Sequence, residues 1–385
     1  MSWLDLYFLV RQMTTDWRIG GRTCFAALVS AFLYHERFHT SNAVDHLART
    51  RRFKRRKAYR KIEKFLHRKT MKLDSVWQWL WDHYTAQLKD CFVLIDWTMW
   101  KDGRQVLMAA LAHSGRCLPF FAIAYQIKKM LRSQNQAEHA FFLLLSLLKR
   151  SNQQMTCIND RGFARISLVK QLRQRDLRFI TRVCHNTYFS SPKYQGLLRD
   201  YQIKEGCLVD LGEGELGKDP KNQAQLRLIV YRGRGHKAPW FIATDRADLT
   251  ALEVASLYAR RMGIEGGFRD TKGSRYGWGL KQLGLRSDVE LTVLWCAAMV
   301  AYALRMAAGA SEVKKDGQAQ FNWTKKGPRR SLLAVGRNAV SSGLVKREEI
   351  IKQLPKLALR LGDLKSVGVE KPAKSRAKAA STKLG

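Results

Sequence analysis

The residues of this chain best suited to chemistry lie between Tyr258 and Lys272. Tyr258-x2-Arg261-x3-Glu265-x6-Lys272 sets a phenol, a guanidinium, a carboxylate and an ammonium at helical spacing. At about 100° per residue a seven-residue step falls about 20° short of two turns, so Tyr258, Glu265 and Lys272 share a face that Arg261 flanks. One helix is expected to present all four. A surface ladder of ion pairs, each worth about 0.3 kcal/mol, is the competing reading. Two further acids weigh against it. Asp96 ends the apolar run Cys91-Phe92-Val93-Leu94-Ile95, and Asp160 follows Met155-Thr156-Cys157-Ile158-Asn159. An unpaired carboxylate at the end of a buried strand would be costly. Three converging carboxylates would repel one another and raise each other's pKa unless a divalent cation neutralised them. Hard oxygen donors suit Mg²⁺, and two such ions about 3.5–4 Å apart can activate an attacking oxygen and stabilise a leaving one. Gly263, Gly266 and Gly267 sit inside the stretch, which fits a close backbone approach to a ligand or a break in the helix.

The elements that would position these acids follow from periodicity. Cys91–Ile95 reads as a buried strand ending at Asp96, and Gln105–Ala112 and Cys117–Ile127 as two more, joined through a Ser114-Gly115 turn. Gln134–Lys149 reads as an amphipathic helix, Met155–Ile158 as a short strand, 163–174 as a helix and Leu177–Val183 as a strand. Three hairpin-linked strands, then helix, strand, helix and strand, predict an α/β fold with a mixed sheet of the ribonuclease-H type. Active groups gather at the carboxyl ends of strands in such sheets. Residues 184–243 break the alternation with turn-forming Gly206, Gly212, Gly214, Gly217, Gly233 and Gly235 and β-like runs at Cys207–Leu211 and Leu226–Tyr231, predicting a β-rich insertion. A helical region resumes near Thr250.

Charge and composition narrow the partners. The 385 residues carry 69 Lys+Arg against 32 Asp+Glu, a formal +37, while 46% hydrophobic content supplies a core. Such self-repulsion is most easily tolerated against a polyanion, with nucleic acid first and an anionic membrane second. Between Arg49 and Lys72, 13 of 24 residues are Lys or Arg and one, Glu63, is acidic. Phe53, Tyr59, Ile62, Phe65 and Leu66 are interleaved among them, so an ordered helix with one apolar face is expected. Its cations need phosphates to offset them; Arg51, Arg52, Lys54, Arg55, Arg56, Lys57, Arg60 and Lys61 are the candidate contacts. Trp3–Met13 and Thr23–Tyr34 also read as helices. Leu291–Ala310 is apolar enough to suggest a membrane span, yet Arg305 lies inside it, which favours a buried core helix. Seven scattered cysteines without a CxxC read as reduced thiols of a cytoplasmic protein. The last 20 or so residues form a basic tail expected to be disordered.

Taken together, the Y-R-E-K spacing, Leu94-Ile95-Asp96-Trp97-Thr98, Asn159-Asp160-Arg161-Gly162-Phe163 and Tyr276-Gly277-Trp278-Gly279-Leu280 resemble DDE transposases of bacterial cut-and-paste insertion sequences, the insertion-sequence-four family. The resemblance covers roughly residues 90–345. It implies a helical domain binding DNA ends (1–88), a ribonuclease-H-like core in two parts (89–183 and 244–310), a β-rich insertion subdomain (184–243), and a C-terminal helical region with a basic tail (311–385). It further implies that Asp96, Asp160 and Glu265 hold Mg²⁺, with Mn²⁺ as a substitute, and that Tyr258, Arg261 and Lys272 grip phosphates. By the same likeness Trp240 would stack on a flipped base and Arg182 would contact DNA. The implied activity is hydrolysis at the ends of an element, hairpin formation and opening, and joining of 3′ ends to target DNA. The implied partners are double-stranded DNA and a second copy of the chain in the synaptic complex, in a bacterial nucleoid and without a membrane. Gly266-Gly267 departs from the family pattern, as does Thr271. A metal-dependent nuclease on the same core, or a non-catalytic DNA-binding copy, are the alternatives.

Overall fold

The structure is a computed structural model. It describes residues 1–100, 102–113, 116–126, 134–273, 277–316, 323–324, 327–328 and 331–364. The expected Ser114-Gly115 turn, Tyr276 and the basic tail lie outside the described residues. The chain divides into two compact units, one formed by residues 1–156 and 260–360 and the other by 157–259 and 361–385.

Unit one begins with helices. Ser2 and Asp5 cap α1 (Trp3–Met13) reciprocally, and Leu6, Leu9, Val10 and Met13 form its buried stripe. The second helix, α2 (Ile19–Tyr34), starts four residues before the predicted Thr23 and is buried along most of its length. Then come α3 (Thr40–Arg51) and α4 (Arg55–Leu66), joined through Arg52 in the left-handed region. The predicted one-sided basic helix is observed in part: Ala58, Ile62, Phe65 and Leu66 are buried while the cations between them face solvent, but Tyr59, expected on the apolar face, is exposed and Phe53 lies before the helix. Apolar burial on one face is what orders so like-charged a segment.

Between α2 and α3 lies a titrating pair, with the Nε2 atoms of His35 and His46 3.4 Å apart. Burial, then His35 and Arg49, pulls the His46 imidazole down to about 4, with Asp45 acting in the opposite direction. The unfolded chain takes up a proton near pH 6.5 that folded His46 refuses, so stability falls as pH drops from about 6.5 toward 4. Denaturant titrations of His46→Gln should show a flatter pH dependence than wild type across that window.

Helix α5 (Asp74–Tyr84) packs its tryptophans on the following strands, Trp77 edge-on to Phe121 at 4.6 Å and Trp81 tilted on Phe120 at 5.1 Å. The strands β1 (Asp90–Met99), β2 (Arg104–His113) and β3 (Arg116–Gln126) form an antiparallel meander in the order β3-β2-β1. Asp96 therefore does not end its strand as expected. Trp97, Thr98 and Met99 pair with Leu107, Val106 and Gln105, so ladder bonds carry β1 three residues further. Helix α6 (Gln134–Leu148) follows, and the division between the units passes through β4 (Gln154–Asn159).

Unit two holds α7 (Ile166–Gln174), the strands β5 (Leu177–Arg182), β6 (Tyr188–Ser191), β7 (Tyr194–Leu197), β8 (Cys207–Leu216), β9 (Ala224–Arg232) and β10 (Trp240–Thr244), and α8 (Ala251–Ala259). Its strand order is β5-β10-β9-β8-β6-β7, every adjacent pair antiparallel. The β-rich character expected for 184–243 is present, and β6 and β7 add a hairpin that the sequence reading did not resolve.

The chain returns to unit one through a 3₁₀ turn, Arg260–Met262, and α9 (Gly263–Lys272). The predicted helix through Tyr258 and Lys272 is thus not uniformly α-helical, since a 3₁₀ segment at Arg260–Met262 interrupts it. The 3₁₀ segment changes the helical phase, and directly after it Gly263 lets the β3 backbone approach closely, since a Cβ there would meet the Arg116 carbonyl oxygen at 2.7 Å. Helix α10 (Asp288–Asp316) is long and apolar enough to cross a membrane, but its apolar stretch is entirely buried, as the core-helix reading expects. Two shorter helices, α11 (Leu332–Ser341) and α12 (Arg347–Gln353), complete the unit. All seven cysteines are free thiols. The α/β class is observed, and the arrangement is compatible with a ribonuclease-H-like core.

Candidate active site

In unit one, β1, the 3₁₀ turn and α9 bring Asp96, Arg261, Glu265 and Lys272 together. Side chains two apart on a strand share a face, so Asp96 and Thr98 both project from one side of β1. Arg261 Nη1 donates to Asp96 Oδ2 at 3.0 Å, and its Nη2 lies 3.8 Å from Glu265 Oε1. The guanidinium is largely enclosed, as is Asp96, whereas Glu265 is about half exposed. At the far end of α9, Lys272 Nζ donates to the Thr98 hydroxyl and lies 3.4 Å from the Met99 carbonyl oxygen. Burial, with Lys281 adding to it, holds the Lys272 ammonium below its ordinary range. Two carboxylates and two cations therefore bracket one end of β1.

Asp96 is also held from below. Its Oδ1 accepts the Trp97 backbone N–H at 2.8 Å, and the Trp97 indole donates to Glu138 Oε1 at 2.9 Å. Glu138 is 1% exposed and also accepts from Gln134. Sequence reasoning overlooked this residue, although an acid on the same apolar helix face as Phe141 and Phe142 was a readable signal.

Of the two glycines after Glu265, only Gly267 has a packing role. A Cβ on Gly267 would meet Cys117 Sγ of β3 at 2.5 Å, whereas nothing comes closer than 3.8 Å to one on Gly266. Arg116 pairs with Asp270 and secures the helix to the same strand. Burial outweighs that pair and pushes the Asp270 carboxyl up. Gly267→Ala should therefore lose about 1–3 kcal/mol by overpacking. Gly266→Ala should be neutral or gain up to about 1 kcal/mol of helix propensity. Paired denaturant melts would check both.

The remaining candidates lie in unit two or on α3 and α4. Asp160 follows β4 directly, as expected, and caps a short 3₁₀ turn, its Oδ1 accepting the Gly162 N–H at 2.8 Å. The amide of neighbouring Asn159 is fully buried with no hydrogen-bond partner among the described residues. Tyr258 is 4% exposed and its ring meets Trp240 at 5.1 Å. Trp240 is also flanked by Tyr231 at 5.7 Å and His236 at 4.7 Å. Arg182 ends β5, half-buried. Arg51, Arg52, Lys54, Arg55, Arg56, Lys57, Arg60 and Lys61 are all exposed. Arg51 donates to Thr23 at 3.0 Å, Arg55 pairs with Asp45 at 2.8 Å, and Lys57 and Lys61 lie over the Phe53 ring at 4.8 and 5.5 Å.

Among the described residues no group of three or more His, Cys, Asp or Glu side chains is gathered to hold a metal ion. In unit one the cation between Asp96 and Glu265 is the Arg261 guanidinium. A site that already draws a cation between two hard oxygen donors has the chemistry a divalent ion needs. The orphaned Asn159 amide beside Asp160 likewise marks a buried polar group awaiting a partner.

No curated protein matches the chain. Residues 87–304, more than half of its length, match the family model of the transposase DDE domain. The matched stretch contains β1 with Asp96, the turn with Asp160 and α9 with Glu265, and the chain belongs to the DDE transposase family.

Proposed function

We propose that this transposase is of the Y-R-E-K insertion-sequence type. It would bind the terminal inverted repeats of its element, excise the element by hydrolysis and hairpin formation, and join the 3′ ends to target DNA. The observation that carries the reading is the clasp of Arg261 on Asp96 and Glu265, with Lys272 at the same strand end.

Asp96, Glu265 and Asp160 would hold Mg²⁺, with Mn²⁺ as its substitute. When bound, such ions lower the pKa of an attacking oxygen and stabilise a leaving one. Every other part is played by the chain itself. Arg261 is poised to exchange its carboxylate partners for a DNA phosphate, since a guanidinium binds either in the same forked geometry. Lys272 offers a compact charge to a neighbouring phosphate, which would also offset the burial that holds its pKa below the ordinary range. Tyr258 would contact a phosphate, Trp240, which packs on it, would stack on a flipped base, and Arg182 would be a further phosphate contact. The exposed face of α4 supplies the cations that track the duplex. Two ends must be cut together, which makes a homodimer assembled on DNA the working form.

The test uses a linear donor carrying the element's ends. Purified protein in Mg²⁺ should give nicks, hairpins and joined products on denaturing gels, all abolished by chelation. Nicks without joined products would instead identify a nuclease, and binding without cleavage a non-catalytic protein.

A further inference from the structure

Where α2 meets α3, His35 and His46 face each other. His35 is the C-cap of α2, and its carbonyl oxygen accepts from buried Arg305 at 2.7 Å, which fixes the backbone there. His46 lies on α3 between Val44 and Leu47, whose burial sets the rotation of that helix. The two Nε2 atoms are 3.4 Å apart and the ring centroids 5.5 Å, so the rings meet nitrogen first. The Tyr34 ring packs on His46 at 5.8 Å, and both imidazoles are half-buried.

A neutral imidazole carries one N–H and one lone pair, so one ring can donate to the other. At 3.4 Å, however, the contact is longer than an ordinary N–H hydrogen bond, whose range ends at about 3.2 Å. Two nitrogens each about 2.0–2.1 Å from one tetrahedral Zn²⁺ stand about 3.3–3.4 Å apart, which is the spacing observed here. Only an unprotonated ring can ligate. Burial is the main force keeping both rings unprotonated, and Arg49 adds to it at each of them. Arg305 and His39 add further positive charge at His35, while Asp45 opposes it at His46. That excess of positive charge and the small ligand set both limit affinity. Among the described residues no third His, Cys, Asp or Glu joins the pair, so the other positions fall to water. Imidazole nitrogen suits Zn²⁺, Ni²⁺ or Cu²⁺, whereas Mg²⁺ demands oxygen.

We propose that His35 and His46 form a transition-metal site, with Zn²⁺ held by two imidazole nitrogens and completed by water, that ties the end of α2 to α3. The metal would brace the basic segment, because α3 leads through Arg52 directly into α4. The site shares no residue with Asp96, Asp160 or Glu265 and does not rest on the function proposed above.

Calorimetric titration of the chelator-treated full chain with Zn²⁺, in excess Mg²⁺ to occupy oxygen-rich sites, tests it. Wild type should bind Zn²⁺ despite the Mg²⁺ and melt about 5 °C higher at a hundredfold excess over Kd. His35→Gln and His46→Gln should each weaken binding at least tenfold. Zn²⁺ binding by both variants at wild-type affinity, or none by wild type, would overturn the proposal. Electron paramagnetic resonance of wild type loaded with one equivalent of Cu²⁺ needs no variant to fold. Coupling to two nitrogens is expected, and a spectrum of oxygen ligands alone would equally overturn the site.

Discussion

Glu265→Gln should bind DNA like wild type and lose strand cleavage by more than about 10³-fold, the scale on which removal of a catalytic group acts. The expectation follows from where Glu265 sits. Its side chain is about half exposed in the first turn of α9 and meets Arg261 at 3.8 Å. Glutamine keeps the shape, so the helix and the stronger Arg261–Asp96 contact at 3.0 Å survive. What disappears is one of the negative charges that the proposed function needs to hold a divalent ion. Anisotropy with an end-bearing duplex would report binding, and single-turnover gels would report cleavage. Wild-type cutting by this variant would remove Glu265 from the metal site.

The second large effect concerns folding. Arg305 is 6% exposed in the middle of α10 and donates to the carbonyl oxygens of Phe32, Leu33 and His35 at 2.6, 3.1 and 2.7 Å. It thus caps the last turn of α2 and lies 5.0 Å over the Trp278 ring, whose indole bonds the same Phe32 carbonyl. Burial, reinforced by Arg337, pulls this guanidinium below its ordinary range. Arg305→Met would relieve that desolvation but strand the Leu33 and His35 acceptors at the helix end, the Phe32 carbonyl keeping the Trp278 indole. Each stranded group costs about 1–3 kcal/mol, so the orphaned carbonyls win. A net loss of about 2–4 kcal/mol is expected, seen as melting of unit one about 5–10 °C lower. An unchanged melt would mean that α2 finds its cap elsewhere.

The ease with which the sequence yields this site varies with how local the cause is. Asp160 was legible because its strand is short and the following Arg-Gly forces a turn. The end of β1 was not, because the ladder with β2 extends Trp97–Met99 and pairing depends on a partner strand. The spacing from Tyr258 to Lys272 predicted one helix, and a 3₁₀ segment interrupts it. The close contact directly after it, Gly263 against the Arg116 carbonyl, joins residues almost 150 positions apart in sequence. Similarly, Gly267 looked like a departure from a pattern until Cys117 stood 2.5 Å from where its Cβ would be. Glu138 and the β6–β7 hairpin were within reach. An acid on an apolar helix face and Pro192-Lys193 between Tyr188-Phe189 and Tyr194 are both readable signals. Arg305 served well at the sequence level as the residue that argued against a membrane span, though its three carbonyl partners could come only from the fold.

The central claim, that Asp96 is a ligand of a catalytic divalent ion, is tested most directly by metal-specificity rescue. Asp96→Cys replaces a hard oxygen donor with a soft thiolate, which Mg²⁺ rejects and Mn²⁺ accepts. Cleavage of an end-bearing duplex by this variant should be absent in Mg²⁺ and return in Mn²⁺, while wild type cuts in both. Equal activity of Asp96→Cys in the two metals, or inactivity in both with DNA binding intact, would contradict the assignment.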